Sequence, residues 1–273
     1  MTEFYGQPTG RLENDALILD YLTGAGPRIV RLIPRALGEN LLAETPDYAL
    51  DSPHGPFRLW GGHRLWHAPE SAARTYIPDD AGLRVVTRPH GVSLVIDEPH
   101  TGIRKAIDVA LDPAEPRVRL VHRLTNTGLW PVELAPWAIT QLRLGGTAVL
   151  PARGPIAEGE RLQPDRFIAL WPYARWDDPR FRPGREAIEI DGAPVEQPFK
   201  MGTMSHEGWA AYHYKGLVFT KRWQPQPDRP HVDLGCNIEV YAAGRHIELE
   251  TLGPLARLEP GASVEHVEEW EIV

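Results

Sequence analysis

The sequence predicts an almost all-β chain built from two large stacked antiparallel sheets. Three observations predict it. Short alternating or apolar β-rich runs recur roughly every 8–15 residues, each bounded by turn chemistry. The 25 Gly and 27 Pro make up nearly a fifth of the 273 residues and are spread evenly, leaving little room for long helices. A dozen or more strands in one chain suits a sandwich of two sheets.

The runs follow one another along the chain. They are Ala16–Leu22, Arg28–Ile33, Leu83–Thr87, Val92–Asp97, Lys105–Leu111, Arg117–Thr125, Val132–Leu142, Trp209–Tyr214, Leu217–Trp223, Asn237–Tyr241, His246–Leu252 and Ser263–Ile272. Arg88-Pro89-His90-Gly91, Thr125-Asn126-Thr127-Gly128 and Lys215-Gly216 read as turns between them. Ala36–Ala43 and Glu70–Arg74 have room for a helical turn or two. Arg153–Pro198 is rich in Pro and charge and carries Trp171 and Trp176. It is too long for a bare loop, so it is expected to be a strand–turn excursion over one end, able to serve as a lid. No internal repeat or domain boundary stands out, and residues 1–273 are expected to form one domain.

A net charge of −8 and a pI near 5.8 argue against a general nucleic-acid binder. The single cysteine, Cys236, allows no disulfide within the chain and no multi-thiolate metal site. Met1–Leu12 has no basic-then-apolar leader pattern. The apolar runs fall short of the roughly 18 residues a membrane span needs. These features lead to the expectation of a cytoplasmic protein with no nucleic-acid or membrane partner. The nine Trp are many for this length. Besides packing cores, Trp stacks its apolar face on sugar rings while keeping a polar N–H at one edge.

Asn237–Glu250 concentrates chemistry. Asn237, Glu239 and Tyr241 alternate with Ile238 and Val240, and His246, Glu248 and Glu250 alternate with Ile247 and Leu249. A turn over Ala242-Ala243-Gly244-Arg245 makes this a hairpin, with Glu239 opposite Glu248 and Asn237 opposite Glu250. One face is then apolar and the other carries three carboxylates. Like charges directly opposite are destabilising. Either the face is solvated, or cations or raised pKa values offset the repulsion, as a proton-transfer site would.

Trp60-Gly61-Gly62-His63-Arg64-Leu65-Trp66-His67 is a second candidate. Arg64 offers a rigid fork of donors for hydroxyls or a carboxylate. His63 or His67 could act as a general acid near neutral pH, or the tryptophans could simply anchor a loop. His122 is in phase with Leu120 and Leu124, as a core histidine would be, and is also a candidate substrate contact. Lys221 could offset the acidic face or lie on the surface. Asp233, in the loop entering the hairpin, could hold a hydroxyl or an ion. His63 and His67 share the i, i+4 spacing of a helical zinc motif, but no Glu follows His63 and the glycines oppose a helix, so no metal is expected. Neither a phosphate loop nor a dinucleotide fingerprint is present, and no cofactor is expected. Cys236 reads as inert, and there is no Gly-x-Ser-x-Gly elbow.

Ile247-Glu248-Leu249-Glu250-Thr251-Leu252-Gly253-Pro254 resembles the signature of the galactose mutarotase-like, or aldose 1-epimerase-like, superfamily. The Trp60–His67 segment resembles its Gly-rich sugar-binding segment, and Val121–Thr127 with Val132–Leu142 resembles its turn and following strand. The chain looks most like a branch of unassigned function. The resemblance implies a large β supersandwich whose concave face holds a carbohydrate, with Glu250 as catalytic base. In this superfamily the later strand carries an acid histidine, but here the matching stretch, Leu134–Thr140, has Trp137 instead. The acid must then be His67, His63 or His122, with Trp137 stacking under a sugar ring. Arg64, His122, Trp137, Lys221, Asp233, Glu239 and Glu248 are the expected substrate contacts. The expected activity is exchange of sugar anomers without a cofactor. The alternatives are a non-catalytic carbohydrate-binding protein on the same fold and a lyase-like sandwich for uronic-acid polymers, which the acidic charge opposes. The expected partner is a small sugar or oligosaccharide; oligomeric state, a homodimer included, is left open.

Overall fold

The structure, a computed structural model, describes residues 2–155 and 162–273. These residues form 23 strands and, among the described residues, no helix. All twelve strand runs read from the sequence are strands, with ends differing by a few residues at most. Lys215 and Gly216 both take positive φ, 48° and 83°, as the two-residue hairpin between Trp209–Tyr214 and Leu217–Arg222 requires. Ser71–Thr75 closes one helical turn through a bond from the Thr75 N–H to the Ser71 carbonyl and goes no further.

Two large antiparallel sheets stack face to face. The first contains, in spatial order across its centre, β4 (Arg28–Pro34), β7 (His63–Ala68), β12 (Val132–Leu142), β21 (His246–Leu252), β20 (Ile238–Ala243) and β17 (Phe199–Thr203). The two-residue β14 (Ala169–Leu170) closes that edge. The second sheet includes β19 (Leu217–Arg222), β23 (Ser263–Ile272), β11 (Arg117–Asn126), β10 (Ile103–Leu111) and β9 (Gly91–Glu98). A separate hairpin of β5 (Glu44–Leu50) and β6 (Phe57–Gly61) stands beside the first sheet.

The period-2 pattern of the strands decides which residues meet. Leu65, Leu134, Leu142, Ile238, Val240, Ile247 and Leu249 point from the first sheet toward Leu94, Ile107, Leu120, Phe219 and Trp270 of the second. Each such side chain fully buried is worth about 1.5–3 kcal/mol, which holds the sheets together. On the opposite, open face of the first sheet, Trp66, Trp137, Ile139 and Leu252 form a second apolar cluster with Phe57 and Leu59 of β6.

Two details differ from the sequence expectation. The hairpin turn is Gly244-Arg245 alone, so Glu239 faces Glu250, Tyr241 faces Glu248 and Ala243 faces His246. The register thus moves by two residues, and because the period is two, every side chain keeps its expected face. Trp60–His67 is not a loop: Gly61 and Gly62 join two strands, with φ of 92° and 71°. A Cβ on Gly62 would lie 1.9 Å from the Ile29 carbonyl oxygen, so only glycine lets β7 start against β4. The excursion from 153 to 198 includes β14, β15 (Phe181–Pro183) and β16 (Ala187–Asp191), while 156–161 fall outside the described residues. Among the described residues no helix is long and apolar enough to cross a membrane.

Candidate active site

A pocket of about 170 Å³ opens on the face of the first sheet turned away from the second. Arg64 and Trp66 of β7, Trp137 of β12, His246 and Glu248 of β21, Tyr241 of β20 and Lys200 of β17 form its floor. Tyr48, Leu50, Leu59, Glu70, Tyr76 and Tyr173 form its walls. Alternation places these groups: residues 64 and 66, 246 and 248, and 239 and 241 all face this side.

Glu250 lies beneath this floor and is fully buried. Its Oε2 accepts hydrogen bonds from Trp137 Nε1 at 2.7 Å and Lys200 Nζ at 2.9 Å. Its Oε1 is buried without a partner. Glu239, directly opposite, pairs with the same ammonium at 2.8 Å. Gly202 lies across from Glu239 in β17, and a Cβ there would come within 3.1 Å of the Glu239 Cγ and 2.7 Å of the Cys236 Sγ. Lys200 Nζ is flanked by the rings of Trp137 and Trp171, 4.7 and 4.6 Å from their centroids.

The charges of this cluster are unequal. Burial raises the Glu250 carboxyl to about 7 despite the opposing pull of Lys200. Burial likewise lifts Glu239 well above the carboxylate range. Burial disfavours the Lys200 charge, but Glu239 and Glu250 outweigh it and raise its pKa well above normal. Burial also works against the Glu248 charge, but Arg64 and His246 overcome it and hold that carboxyl well below its usual range. Glu248 Oε1 accepts from Arg64 Nη2 at 3.0 Å and Gln141 Nε2 at 2.8 Å. The Arg64 guanidinium stacks 4.1 Å from the Trp66 ring centroid, and its Nε and Nη1 have no partner.

Of the residues singled out in the sequence, Glu250, Glu239, Glu248, Arg64 and Trp137 therefore come together here. Five others, His63, His67, His122, Lys221 and Asp233, lie elsewhere. His63 and His67 are on β7 with the opposite parity to Arg64 and point between the sheets. His63 Nε2 is 2.7 Å from His122 Nε2, and His122 Nδ1 donates to the His266 carbonyl at 3.0 Å. The three possible ligand atoms of His63, His122 and Glu268 lie within 4.8 Å of one another. Both Glu268 oxygens are already engaged, however: Oε1 by Lys221 and Thr251, and Oε2 by Trp270. Lys221 is buried there, donating also to the carbonyls of Ala138 and Leu249. His67 Nε2 bonds the Arg74 carbonyl, and burial lowers its pKa to about 3. Asp233, at a φ of 51° in its loop, does not line the pocket, though its charge reaches Glu239.

Sequence reasoning missed Lys200, the ring of tyrosines and His246 as a pocket residue. Phe199-Lys200-Met201, a charge between two apolar residues, was the signal for Lys200.

No protein-family model and no curated protein sequence matches the chain. Solved structures do. A galactose mutarotase-like protein from Lactobacillus casei ATCC 334 superposes with a TM-score of 0.63 at 10% identity, over 97% of this chain and 100% of that one. A candidate aldose 1-epimerase from Escherichia coli K12 gives 0.62 at 12% identity, over 98% and 99%. A TPR-domain containing protein from Parabacteroides distasonis ATCC 8503 gives 0.68 at 12% identity, over 98% of this chain and 47% of that one. At such identities the likeness concerns architecture. The two stacked sheets thus have the galactose mutarotase-like, aldose 1-epimerase-like fold.

Proposed function

We propose that the pocket binds a saccharide and that the chain exchanges its anomers by acid/base catalysis in the manner of an aldose 1-epimerase, with Glu250 as base. One observation carries this reading: a fully buried carboxyl, raised to about 7, lies beneath the floor of a pocket walled by aromatic rings and bonds two of its floor residues, Trp137 and Lys200. A base poised near the working pH is what proton abstraction needs. The volume, about 170 Å³, is below the roughly 300–1,000 Å³ of drug-sized sites and suits one sugar ring.

In this chemistry Glu250 Oε1 takes the proton of the anomeric hydroxyl and the ring C–O bond opens as its oxygen is protonated. The C1–C2 bond turns, and the ring closes on the other face. Tyr48, Tyr76, Tyr173, Tyr241 and Trp137 offer flat faces to the sugar, while Arg64 and Glu248 orient hydroxyls. A second reading, saccharide binding without turnover, is favoured by one feature: Lys200 and Trp137 already occupy Glu250 Oε2.

NMR exchange spectroscopy on a panel of aldoses separates the two. The epimerase reading expects exchange that rises with pH through a midpoint near 7 and is lost in Glu250→Gln. Saturable quenching of tryptophan fluorescence by a sugar, with no exchange, would leave the binding reading. Exchange unchanged by Glu250→Gln would end the assignment of the base.

A further inference from the structure

We propose that Lys200 is the general acid of this exchange, giving its proton to the ring oxygen as Glu250 takes the anomeric one. This rests on the reading of Glu250 as base.

The geometry of a sugar ring restricts the choice. The anomeric oxygen and the ring oxygen are bonded to the same carbon, so acid and base must lie close together. His63 and His122 are sealed between the sheets, and His67 points the same way. His246 lines the pocket but sits four residues from Glu250 on β21, about 13 Å along the strand. Among the described residues, Lys200 alone combines an ionisable donor on the pocket lining with direct contact to Glu250, 2.9 Å from its Oε2.

The surroundings of Lys200 also make its proton conditional. Glu239 and Glu250 hold the proton in place against burial. Burial raises Glu239 well above the carboxylate range, which weakens it as a counter-charge. Once Glu250 accepts the anomeric proton, Lys200 loses one of its two counter-charges. Burial then acts on Lys200 against weaker opposition and shifts the ammonium toward the amine. Arrival of one proton on Glu250 thus frees the other.

The step balances. The O1–H bond breaks and its proton goes to Glu250, while the O1 electron pair forms the C1=O1 bond. The C1–O5 pair leaves to O5, which takes a proton from Lys200 Nζ. After rotation about C1–C2, the O5 hydroxyl attacks C1, its proton returns to Nζ, and Glu250 returns a proton to O1. Trp137 and Trp171 hold the ammonium on either side through both halves.

The test compares wild type, Lys200→Met and Lys200→Arg by NMR anomer exchange at neutral pH, with near-ultraviolet circular dichroism reporting the fold. Met keeps the stem between the tryptophans. Arg keeps the charge but stays protonated. Both are expected to lose at least about 100-fold in exchange, with Arg still binding the sugar by fluorescence. Exchange in Lys200→Arg close to wild type overturns the proposal and leaves Glu250 standing. Absence of exchange in wild type itself overturns the epimerase reading and the proposal together.

Discussion

The same three strands, β7, β12 and β21, carry two buried polar clusters on opposite faces, and the two are built differently. Between the sheets, His63, Thr140, His122, His266, Thr251, Lys221, Glu268 and Trp270 leave no buried side-chain donor or acceptor without a partner. On the open face, Arg64, Trp66, Gln141, Glu239, His246 and Glu250 each keep at least one buried polar atom unmatched. Unpaired buried polar groups are costly, each worth about 1–3 kcal/mol. A closed network serves to hold the sheets in one arrangement. An open one stays costly unless something else fills it. Neighbours in sequence, His63 and Arg64 or Glu250 and Thr251, thus belong to different clusters.

The largest expected effect on the open face is Glu250→Gln, which should slow anomer exchange by about 10²–10⁴-fold in NMR. It should leave Lys200 with Glu239 as its counter-charge and the chain folded. Between the sheets the corresponding break is Lys221→Met. It strands the Glu268 charge and should cost about 3–5 kcal/mol in urea unfolding. Lys221→Met with Glu268→Gln should recover much of that loss; if it recovers none, the pair is not a closed electrostatic unit.

Acid should separate the clusters further. The pKa of His266 is lowered by burial to about 3, and that of His67 likewise. Unfolded, each titrates near 6.5, so their stabilisation is complete above that pH and disappears as pH falls toward 3. Each adds a slope of up to about 1.4 kcal/mol per pH unit. His266→Gln should flatten that acid limb in unfolding titrations. Glu250 has the opposite sign: raised to about 7, its contribution is full below 4.5 and is lost as pH rises to 7. Glu250→Gln should therefore flatten the neutral limb and leave the acid one. The smallest effect is expected for Trp137→Phe. Loss of the Nε1 bond should move the midpoint of the exchange profile upward by less than about one unit.

Much of the architecture was legible because alternation and turn chemistry are local. Asn237–Glu250 announced both of its faces without its register being known, and the four-residue turn misled only about which residue faces which. The His63–His67 segment shows where local reading fails. The residues left open whether it is a loop anchored by its tryptophans, and without a strand there the parity that separates His63 from Arg64 has nothing to act on. Lys200 was harder still. Its strand is five residues long and follows directly on a stretch dominated by proline and charge. Its importance comes from Glu239, Glu250 and Trp171, partners from 29 to 50 positions away that only the sheet order brings together. The pairing of Lys221 with Glu268 joins β19 to β23, neighbours in the second sheet but far apart along the chain, and leaves no trace in spacing.

Trp171 and Tyr173 follow directly on β14, the two-residue edge strand, and Trp171 is tied to β17 through its N–H on the Lys200 carbonyl. This part of the pocket wall is thus an appendage of the scaffold, secured by a few main-chain bonds. Exchanging Trp171-Pro172-Tyr173 for other residues would reshape what the cavity accepts, and the hold on the Lys200 ammonium, while β12, β20 and β21 stay as they are. Diversification of ligand preference could proceed at this margin with the interior of the sandwich untouched.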